Sequence, residues 1–383
     1  MKIRFIFVGR LATEKWFRQI LDATSLLVEQ WIDNFQIDIF WSGELVPELL
    51  KHPLMETHLV YHGHLPKEQI VLLRKKAHYT LIPSLFLETF GLVGLDSISL
   101  GVPVLGSKKW WLIPFIFDEF TVSSAKNLTE RMSRCIQNFD QQQRDVFSKK
   151  SLQISTSYQK NLRVDRFWQM SKNCKNCLLV SDYAVDIGGI ESFLFQVKRL
   201  LETKNISTDL RWKTHRVRGI WRKIDLIAAG ANIFGAFGLW KQLKHTSYEL
   251  VRLHSVQRRI GRLPLLILSV FHKKTRRVMY HDMWLIHPFP SRVYEEWQLE
   301  CAKSFSGYLA EWKNILWRKR YVGGCVLIYA KRLYSRLLGK ILARLADKHF
   351  VPSAYMIPYF SVFLHQKHPV TERPHFISHT TDE

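Results

Sequence analysis

The chain has 383 residues, of which 47% are hydrophobic, enough to fill two domains of ordinary size and to exclude a disordered chain. Its formal net charge of +23 is unevenly placed. Residues 1–170 hold 21 Lys and Arg against 17 Asp and Glu, whereas residues 171–383 hold 35 against 16. We therefore expect the basic half to have an anionic partner. Charge alone does not distinguish a membrane surface from nucleic acid or phosphorylated substrates.

The cysteines and apolar runs indicate where the protein works. Five scattered cysteines do not form a secreted disulfide framework, and Cys174 and Cys177 lack a second pair for a metal, so we expect ordinary thiols. The first apolar run, Phe5–Val8, is short for a signal peptide. The longest uncharged stretch, Ile227–Trp240, has 14 residues, below the roughly 18–20 that span a bilayer. We expect a cytoplasmic protein, peripheral at most on the inner face of the cell membrane.

From residue 1 to about 150, short β-branched or aromatic runs alternate with longer amphipathic patterns. This alternation predicts β-α units with a parallel sheet. The predicted elements are a strand at Ile3–Val8, a helix at Trp16–Trp31, a strand at Ile37–Trp41, a helix at Lys67–Ala77 and a strand at Tyr79–Ile82. We place a first domain at residues 1–170, with a terminal helix and a linker within residues 140–176.

A second alternation begins at the predicted strand Cys177–Ser181, which a Gly-Gly loop joins to a predicted helix at Glu191–Thr203. Arg277–His281 is typical of a further strand. Tyr321–Phe350 is typical of one or two long basic helices. The last dozen residues are typical of a loop. The pattern predicts a second domain at residues 176–383. The fold class is α/β, with two Rossmann-like, doubly wound domains.

Two motifs in the first half indicate a binding site. Phe7–Lys15 is a strand end that continues into a loop with two cations, Arg10 and Lys15. Pro83–Asp96 follows a strand, contains Glu88 and Asp96, and precedes a Gly-Val-Pro-Val segment. If a helix begins at Phe90, eight positions separate the two carboxylates by about 12 Å along its axis, enough to reach from a sugar to a ribose.

In this order, these motifs resemble the retaining glycosyltransferases of family four, which have the GT-B fold. The resemblance extends over about residues 3–170 and includes Ser42–Glu44 and Tyr61–Gly63. It implies a site for a nucleotide-diphosphate sugar, in which Glu88 contacts the transferred sugar and Asp96 the ribose. The other implied donor-binding residues are those that meet the diphosphate: Gly9, Arg10, Lys15, Phe90, Gly91 and Leu92.

Fixed cations can neutralise a departing diphosphate without a metal, and no Asp-x-Asp motif is present, so we expect neither metal nor cofactor. Three positions depart from the family's pattern. Asp96 stands where Glu is commoner, and Lys108–Trp111 stands in place of a Gly-Gly pair, which we expect to reshape the pocket. Trp16 stands where Gly normally follows the Lys, and we expect its bulk to displace Lys15.

In the second half, Gly188 and Gly189 lie between a predicted strand and helix, where glycine lets the backbone approach a ligand or simply forms a turn. This segment resembles the Gly-Gly-Ile-Glu loop of the same family's acceptor domain. His281 beside Asp282 follows a predicted strand and could position or deprotonate an acceptor hydroxyl, or be a structural, hydrogen-bonded His. His254 fits a cleft and a core equally well.

In the resembled family the Gly-Gly domain comes first, so here the domain order is reversed. The carboxyl end, Arg373–Ser378, resembles the linker that normally leads into the donor domain. The sequence allows an intramolecular permuted enzyme, a domain-exchanged homodimer, or halves of two neighbouring transferases joined in one chain. The basic aromatic stretches Arg216–Lys223 and Trp312–Tyr321 favour a membrane interface, because no specific nucleic-acid motif accompanies them.

These observations predict a glycosyltransferase, of hexosyltransferase type and independent of metal. It moves a sugar from a nucleotide-diphosphate donor to a saccharide or lipid-linked acceptor, in the synthesis of cell-surface polysaccharide or glycolipid. Retention of configuration follows only from the resemblance. The alternative is a catalytically inactive, two-domain binding protein whose mismatched halves build no common cleft.

Overall fold

A computed structural model describes residues 2–84, 87, 91–162, 174–181, 189–212, 233–254, 262–272, 275–281, 283, 286, 299, 306–307, 310, 324–352, 354–364 and 369–372. The chain divides into two compact units, Met1–Asn161 and Leu162–Glu383. The sequence placed the two domains at 1–170 and 176–383. We call the two parts unit 1 and unit 2.

Unit 1 is built on a parallel sheet. Its strands are β1 (Ile3–Val8), β2 (Phe35–Phe40), β3 (Leu59–Gly63), β4 (Tyr79–Ile82) and β5 (Val104–Gly106). They lie side by side in the order β3-β2-β1-β4-β5. The strands are mostly apolar because helices cover both faces of a parallel sheet. Phe5 and Ile6 of β1, for example, are fully buried.

The described helices of unit 1 alternate with these strands. They are α1 (Phe17–Glu29), α2 (Val46–Leu50), α3 (Lys67–Lys75), α4 (Leu92–Ser99), α5 (Ala125–Gln137) and α6 (Gln141–Leu162). The chain steps outward from β1 to β2 and β3, then crosses to the other side of β1 at β4. Adjacent strands whose connections diverge in this way leave a crevice at their carboxyl ends, where ligands bind in such sheets. In unit 1 this crevice lies between β1 and β4.

Unit 2 also has a parallel sheet. Its strands are β6 (Asn176–Ser181), β7 (Ser207–Trp212), β8 (Leu250–His254), β9 (Thr275–Met279), β10 (Lys348–Val351) and β11 (Val370–Glu372). Their order is β11-β10-β9-β8-β6-β7, which places the change of direction between β6 and β8. The α/β class with parallel sheets, predicted for both parts of the chain, is confirmed.

The described longer helices of unit 2 are α7 (Gly189–Glu202), α8 (Ile233–His245), α9 (Arg262–Phe271), α10 (Gly324–Leu345) and α11 (Ile357–Phe363). The step from β6 to β7 runs one way across the sheet, and the steps from β7 to β8, β9 and β10 run the other way. Because β-α-β crossovers are right-handed, α8, α9 and α10 lie together on one face and α7 on the opposite face. In agreement, α9 packs against both α8 and α10.

The structure corrects two predicted elements in unit 2. The helical prediction over Tyr321–Phe350 is wrong at its end, since α10 stops at Leu345 and Lys348–Val351 form β10. This strand has buried residues at His349, Phe350 and Val351 and pairs with β9. The basic, apolar composition does not distinguish a helix end from a short buried strand. The strand predicted at Arg277–His281 is shifted, and ends at Met279.

Candidate functional site

The loop after β1 carries Gly9, Arg10 and Lys15, and its backbone is fixed by the loop after β2. The Leu11 N–H donates to the Ser42 carbonyl at 3.1 Å, and the Leu45 N–H donates to the Leu11 carbonyl at 3.0 Å. A Cβ atom on Gly43 would lie 2.2 Å from the Leu11 carbonyl oxygen, so only glycine allows this approach. The Ser42–Glu44 segment thus positions the cationic loop at the crevice.

Of the two cations of this loop, Arg10 precedes a single 3-10 turn and Lys15 is its last residue. Arg10 is exposed and its guanidinium forms an ion pair with Glu14, a residue for which the sequence predicted no role. Thr13–Lys15 form a 3-10 turn, and the Thr13 hydroxyl and N–H approach the Glu44 carboxylate at 3.3 and 3.4 Å. An anionic ligand at Arg10 would therefore compete with Glu14 for the guanidinium.

Trp16 has a left-handed backbone, with a φ of 56°, and its N–H donates to the Thr13 carbonyl at 3.0 Å. Glycine adopts this conformation freely, whereas a residue with a Cβ atom loses about 1 kcal/mol or more. The left-handed backbone therefore explains why glycine is the residue that the resemblance implies at this position. Lys15 remains the last residue of the 3-10 turn, directly before Trp16. The expected displacement of its side chain stays a prediction.

The loop after β4 reaches α4 through Gly91, the residue that precedes the helix. Gly91 has a φ of 65°, and a Cβ atom there would lie 2.7 Å from the Leu112 side chain. Its carbonyl accepts the N–H groups of Gly94 and Leu95, and the N–H groups of Leu92 and Val93 have no acceptor within the helix. Such a helix start favours an anion. The predicted Glu88 and Phe90 lie outside the described residues.

Asp96 lies on the second turn of α4 and faces a buried cation. Its Oδ2 atom is 3.7 Å from Nη1 of Arg74 on α3, and the side chains are 20% and 3% exposed. The Oδ1 atom is buried and has no hydrogen-bond partner among the described residues, and the same holds for Nε of Arg74. Burial lowers the pKa of Arg74 and the Asp96 carboxylate opposes that shift. The carboxylate therefore has one oxygen near a charge and one buried oxygen without a partner among the described residues.

Sequence reasoning missed Arg74. Ile70 and Arg74 are four positions apart on the buried side of α3, so a charged residue occupies a position where the helical pattern calls for an apolar one. The adjacent Lys75 and Lys76 are exposed, so the local sequence does not distinguish Arg74 from a residue of a solvated basic run. A buried cation at an apolar position is the signal that could have identified it.

The departure at Lys108–Trp111 leads into a short 3-10 segment, Trp110–Phe115. Within it, Leu112 and Phe115 are fully buried, and a Cβ atom on Gly94 of α4 would lie 3.1 and 3.2 Å from their side chains. Lys108 pairs with the exposed Asp118 at 2.5 Å. An apolar segment thus packs against the start of α4, at the place where the resemblance implies two glycines.

At the carboxyl edge of the unit 2 sheet, His254 ends β8 and His281 lies two residues beyond β9. Both side chains are buried, and Nδ1 of His254 is 2.9 Å from Nε2 of His281. The ring of Phe193 from α7 contacts both imidazoles. Burial lowers the pKa of His281 to about 3, so its imidazole is neutral at pH 7.

The other predicted residues of unit 2 are less fully described. Gly189 is the first residue of α7, directly after the connection from β6, whereas Gly188 and Asp282 lie outside the described residues. The basic aromatic stretches at 216–223 and 312–321, and the segment 373–378, also lie outside them. The edge therefore brings together Ser181, His254 and His281. The sequence indicated the two histidines separately, but it did not predict that they are hydrogen-bonded to each other.

Two searches for other features cover only the part of the chain that the structure describes. It contains no cluster of three or more His, Cys, Asp or Glu side chains that could hold a metal ion. No described helix is both long enough and apolar enough to cross a bilayer. Cys174 and Cys177 are free thiols, and burial raises the pKa of Cys177 to about 12.

Comparison with solved structures finds likenesses to glycosyltransferases. The catalytic domain of cholesterol-α-glucosyltransferase from Helicobacter pylori is 14% identical, with a TM-score of 0.37, over 41% of this chain and 99% of that one. The pneumococcal O-GlcNAc transferase GtfA, solved with UDP and GlcNAc, is 19% identical, with a TM-score of 0.38, over 44% and 35%. This chain therefore spans about a third of the GtfA chain.

A third likeness is to the C-terminal domain of the group 1 glycosyl transferase LpcC from Francisella tularensis, which is 15% identical, with a TM-score of 0.35, over 40% of this chain and 85% of that one. A search of curated proteins found no significant relative. Residues 1–137, which include β1 to β5 and the crevice between β1 and β4, match the family model described as glycosyl transferases group 1.

Proposed function

We propose that unit 1 binds a nucleotide-diphosphate sugar at the crevice between β1 and β4, and that the protein transfers the sugar to a saccharide or lipid-linked acceptor. The observation that supports this most strongly is the group 1 glycosyltransferase match over the part of the chain that forms the crevice. The crevice also carries polar groups that suit such a donor, namely an exposed guanidinium, a helix start and a carboxylate oxygen that has no hydrogen-bond partner among the described residues.

The diphosphate would lie between the two loops that begin at the carboxyl ends of β1 and β4. On one side, Arg10 and Lys15 supply positive charge; on the other, the N–H groups of Leu92 and Val93 point away from the start of α4. Positive groups held in place before the reaction stabilise the charge that develops on the leaving diphosphate. Arg10 would exchange its contact with Glu14 for one with phosphate.

The ribose would be held by Asp96. Its Oδ1 atom is buried and has no described partner, and a buried carboxylate oxygen is costly unless it accepts a hydrogen bond. A ribose hydroxyl would supply that hydrogen bond. Arg74 would act as a positioning residue, because its guanidinium lies near Oδ2 and holds the carboxylate in place. Glu88 is the proposed contact to the transferred sugar.

Unit 2 would bind the acceptor at the carboxyl edge of its sheet. The proposed residues are the Gly188–Gly189 loop and the His281–Asp282 pair. Since the pKa of His281 is about 3, the imidazole is a poor proton acceptor at neutral pH. Of the two roles that the sequence left open, we therefore favour positioning of the acceptor hydroxyl over its deprotonation.

The finer features of the activity are proposals of the same kind. They are retention of configuration, transfer of a hexose, independence of metal and cofactor, a cytoplasmic location, and a pathway to cell-surface polysaccharide or glycolipid. The reversed domain order belongs with them, either within one chain or in a domain-exchanged homodimer. The rival account is a binding protein, or a fusion of two half-transferases, in which the donor binds but no sugar is transferred.

The test is release of nucleotide diphosphate from a panel of nucleotide sugars by the purified full chain, with and without membrane extract as acceptor. We expect release by wild type, its loss in Glu88→Gln and Arg10→Ala, and full activity in Arg18→Ala. Arg18 is a matched control, because it is an exposed arginine of unit 1 that also pairs with a glutamate, Glu48, at 2.6 Å. Donor binding without release would support the rival account.

A further inference from the structure

The helix layer formed by α8, α9 and α10 exposes large apolar side chains. They are 42% to 63% exposed and come from all three helices: Phe237, Leu266, Val270, Phe271, Leu333 and Leu337. Because α9 packs between α8 and α10, these side chains belong to one surface, which we call the apolar-basic face. Adjacent exposed apolar side chains on neighbouring helices are typical of a surface that meets a partner.

The charges that the three described helices place on this face have one sign. Within their bounds, α8, α9 and α10 contain two, one and five Lys or Arg residues, respectively, and no Asp or Glu. Lys241, Lys244, Arg336, Lys340 and Arg344 are exposed. Lys244 also lies over the ring of Trp240, 5.4 Å from its centroid. A face with this charge attracts anions and repels a second copy of itself.

The apolar and basic residues are arranged in the same way on two of the helices. On α10, Leu333, Leu337, Lys340 and Arg344 follow one stripe of the helix surface, apolar first and basic afterwards. On α8, Phe237, Lys241 and Lys244 repeat the pattern. Both helices return the chain from the carboxyl edge of the sheet to the amino edge, so the stripes run in the same direction. On these two helices the apolar residues thus lie nearer the carboxyl edge and the cations nearer the amino edge.

We propose that the apolar-basic face docks on an anionic lipid bilayer, with its apolar side chains among the acyl chains and its cations at the headgroups. Aliphatic side chains bordered by lysine and arginine suit this interface. Nucleic acid fits less well, because four of the six exposed apolar side chains are Leu or Val, which offer no aromatic ring for bases to stack on. The docking requires no nucleotide and uses no residue of the proposed donor site, so it holds or fails independently of the proposed transferase activity.

The test is co-sedimentation of the full chain with phosphatidylcholine vesicles that contain or lack phosphatidylglycerol. We expect binding only to the anionic vesicles, and weaker binding at higher salt. Replacing Lys340 and Arg344 by Gln should weaken binding about fivefold for each cation. The Val270→Ser/Leu333→Ser variant should weaken it at least about tenfold, since it removes the apolar anchors.

Helix α3 of unit 1 offers a matched control. Leu72 is as exposed as Leu333, at 60%, and the exposed Lys75 and Lys76 follow it as Lys340 and Arg344 follow Leu337. Leu72→Ser and Lys75→Gln/Lys76→Gln should bind vesicles like wild type. Circular dichroism melting checks that every variant is folded.

Three results would overturn the proposal. They are equal binding by the α3 and the α9–α10 variants, no binding of wild type to anionic vesicles, and a change of oligomeric state in the α9–α10 variants with unchanged vesicle binding. Retention of wild type on polyuridylate without retention on vesicles would also reject it, in favour of nucleic acid.

Discussion

The carboxyl edges of the two sheets differ in the charge of the side chains that lie there. In unit 1 the edge carries an exposed guanidinium, an open helix start and a carboxylate held against a buried arginine. In unit 2 the edge carries two buried imidazoles that are bonded to each other, one of them with a pKa lowered to about 3. The first edge is suited to an anionic ligand and the second to a neutral one, such as a hydroxyl group.

The largest effect we predict concerns the buried pair in unit 1. Arg74→Leu should lower the free energy of unfolding by about 3 kcal/mol, because it leaves the Asp96 carboxylate largely buried without its counter-charge. Urea unfolding measures the change. Adding Asp96→Asn to this variant should recover part of the loss. A double variant less stable than Arg74→Leu alone would show that the two side chains are not coupled.

The second prediction concerns the exposed cation at the same edge. Arg10→Ala should weaken binding of UDP by roughly tenfold to a hundredfold, since a charge-assisted hydrogen bond contributes about 1.5–3 kcal/mol. The stability of the variant should stay within about 0.5 kcal/mol of wild type. Titration calorimetry measures the affinity, and Arg18→Ala is the control. Equal losses in the two variants would remove Arg10 from the site.

The third prediction uses the pH response of unit 2. The folded-state pKa of His281 is about 3 and the unfolded value is about 6.5, so the unfolded chain takes up the proton first. The free energy of unfolding should therefore fall as the pH drops from about 6.5 towards 3, by about 1.4 kcal/mol per pH unit. Urea unfolding across this range should show a shallower slope in His281→Gln.

The smallest effect that we predict concerns backbone strain at Trp31, a residue outside both proposed sites. Trp31 follows α1, is 91% exposed and has a φ of 60°. Its N–H and that of Ile32 close the helix end by donating to the carbonyls of Val28 and Leu27. Trp31→Gly should raise the free energy of unfolding by about 0.5–1 kcal/mol, whereas Trp31→Ala keeps the Cβ atom and should give a smaller gain. Thermal unfolding that ranks Ala above Gly would contradict this.

Sequence patterns predicted three strands and two helices of unit 1 to within two residues, because β-branched runs and amphipathic helices leave separate periodic signals. The strand at Ile3–Val8, for example, has the predicted bounds. The pattern failed at β10, where four residues directly after a long helix are too few for a strand period to emerge. The sequence also indicated a site at the cationic loop after β1, since glycine and cations after a strand are visible locally.

The contacts of that site could not be predicted, because they join residues far apart in the chain. Arg74 meets Asp96 only when α3 and α4 pack side by side, and His254 meets His281 only when β8 and β9 pair. Glu14 pairs with Arg10 within one turn, yet its competition for the guanidinium becomes evident only from the fold of the loop.

The most direct test of the donor site is hydrogen–deuterium exchange of the full chain with and without saturating UDP. The account predicts slower exchange in the Gly9–Trp16 loop and at the start of α4, with exchange in β6 and β8 unchanged. Protection confined to the edge of unit 2, or no protection anywhere at saturation, would contradict the assignment of nucleotide binding to unit 1.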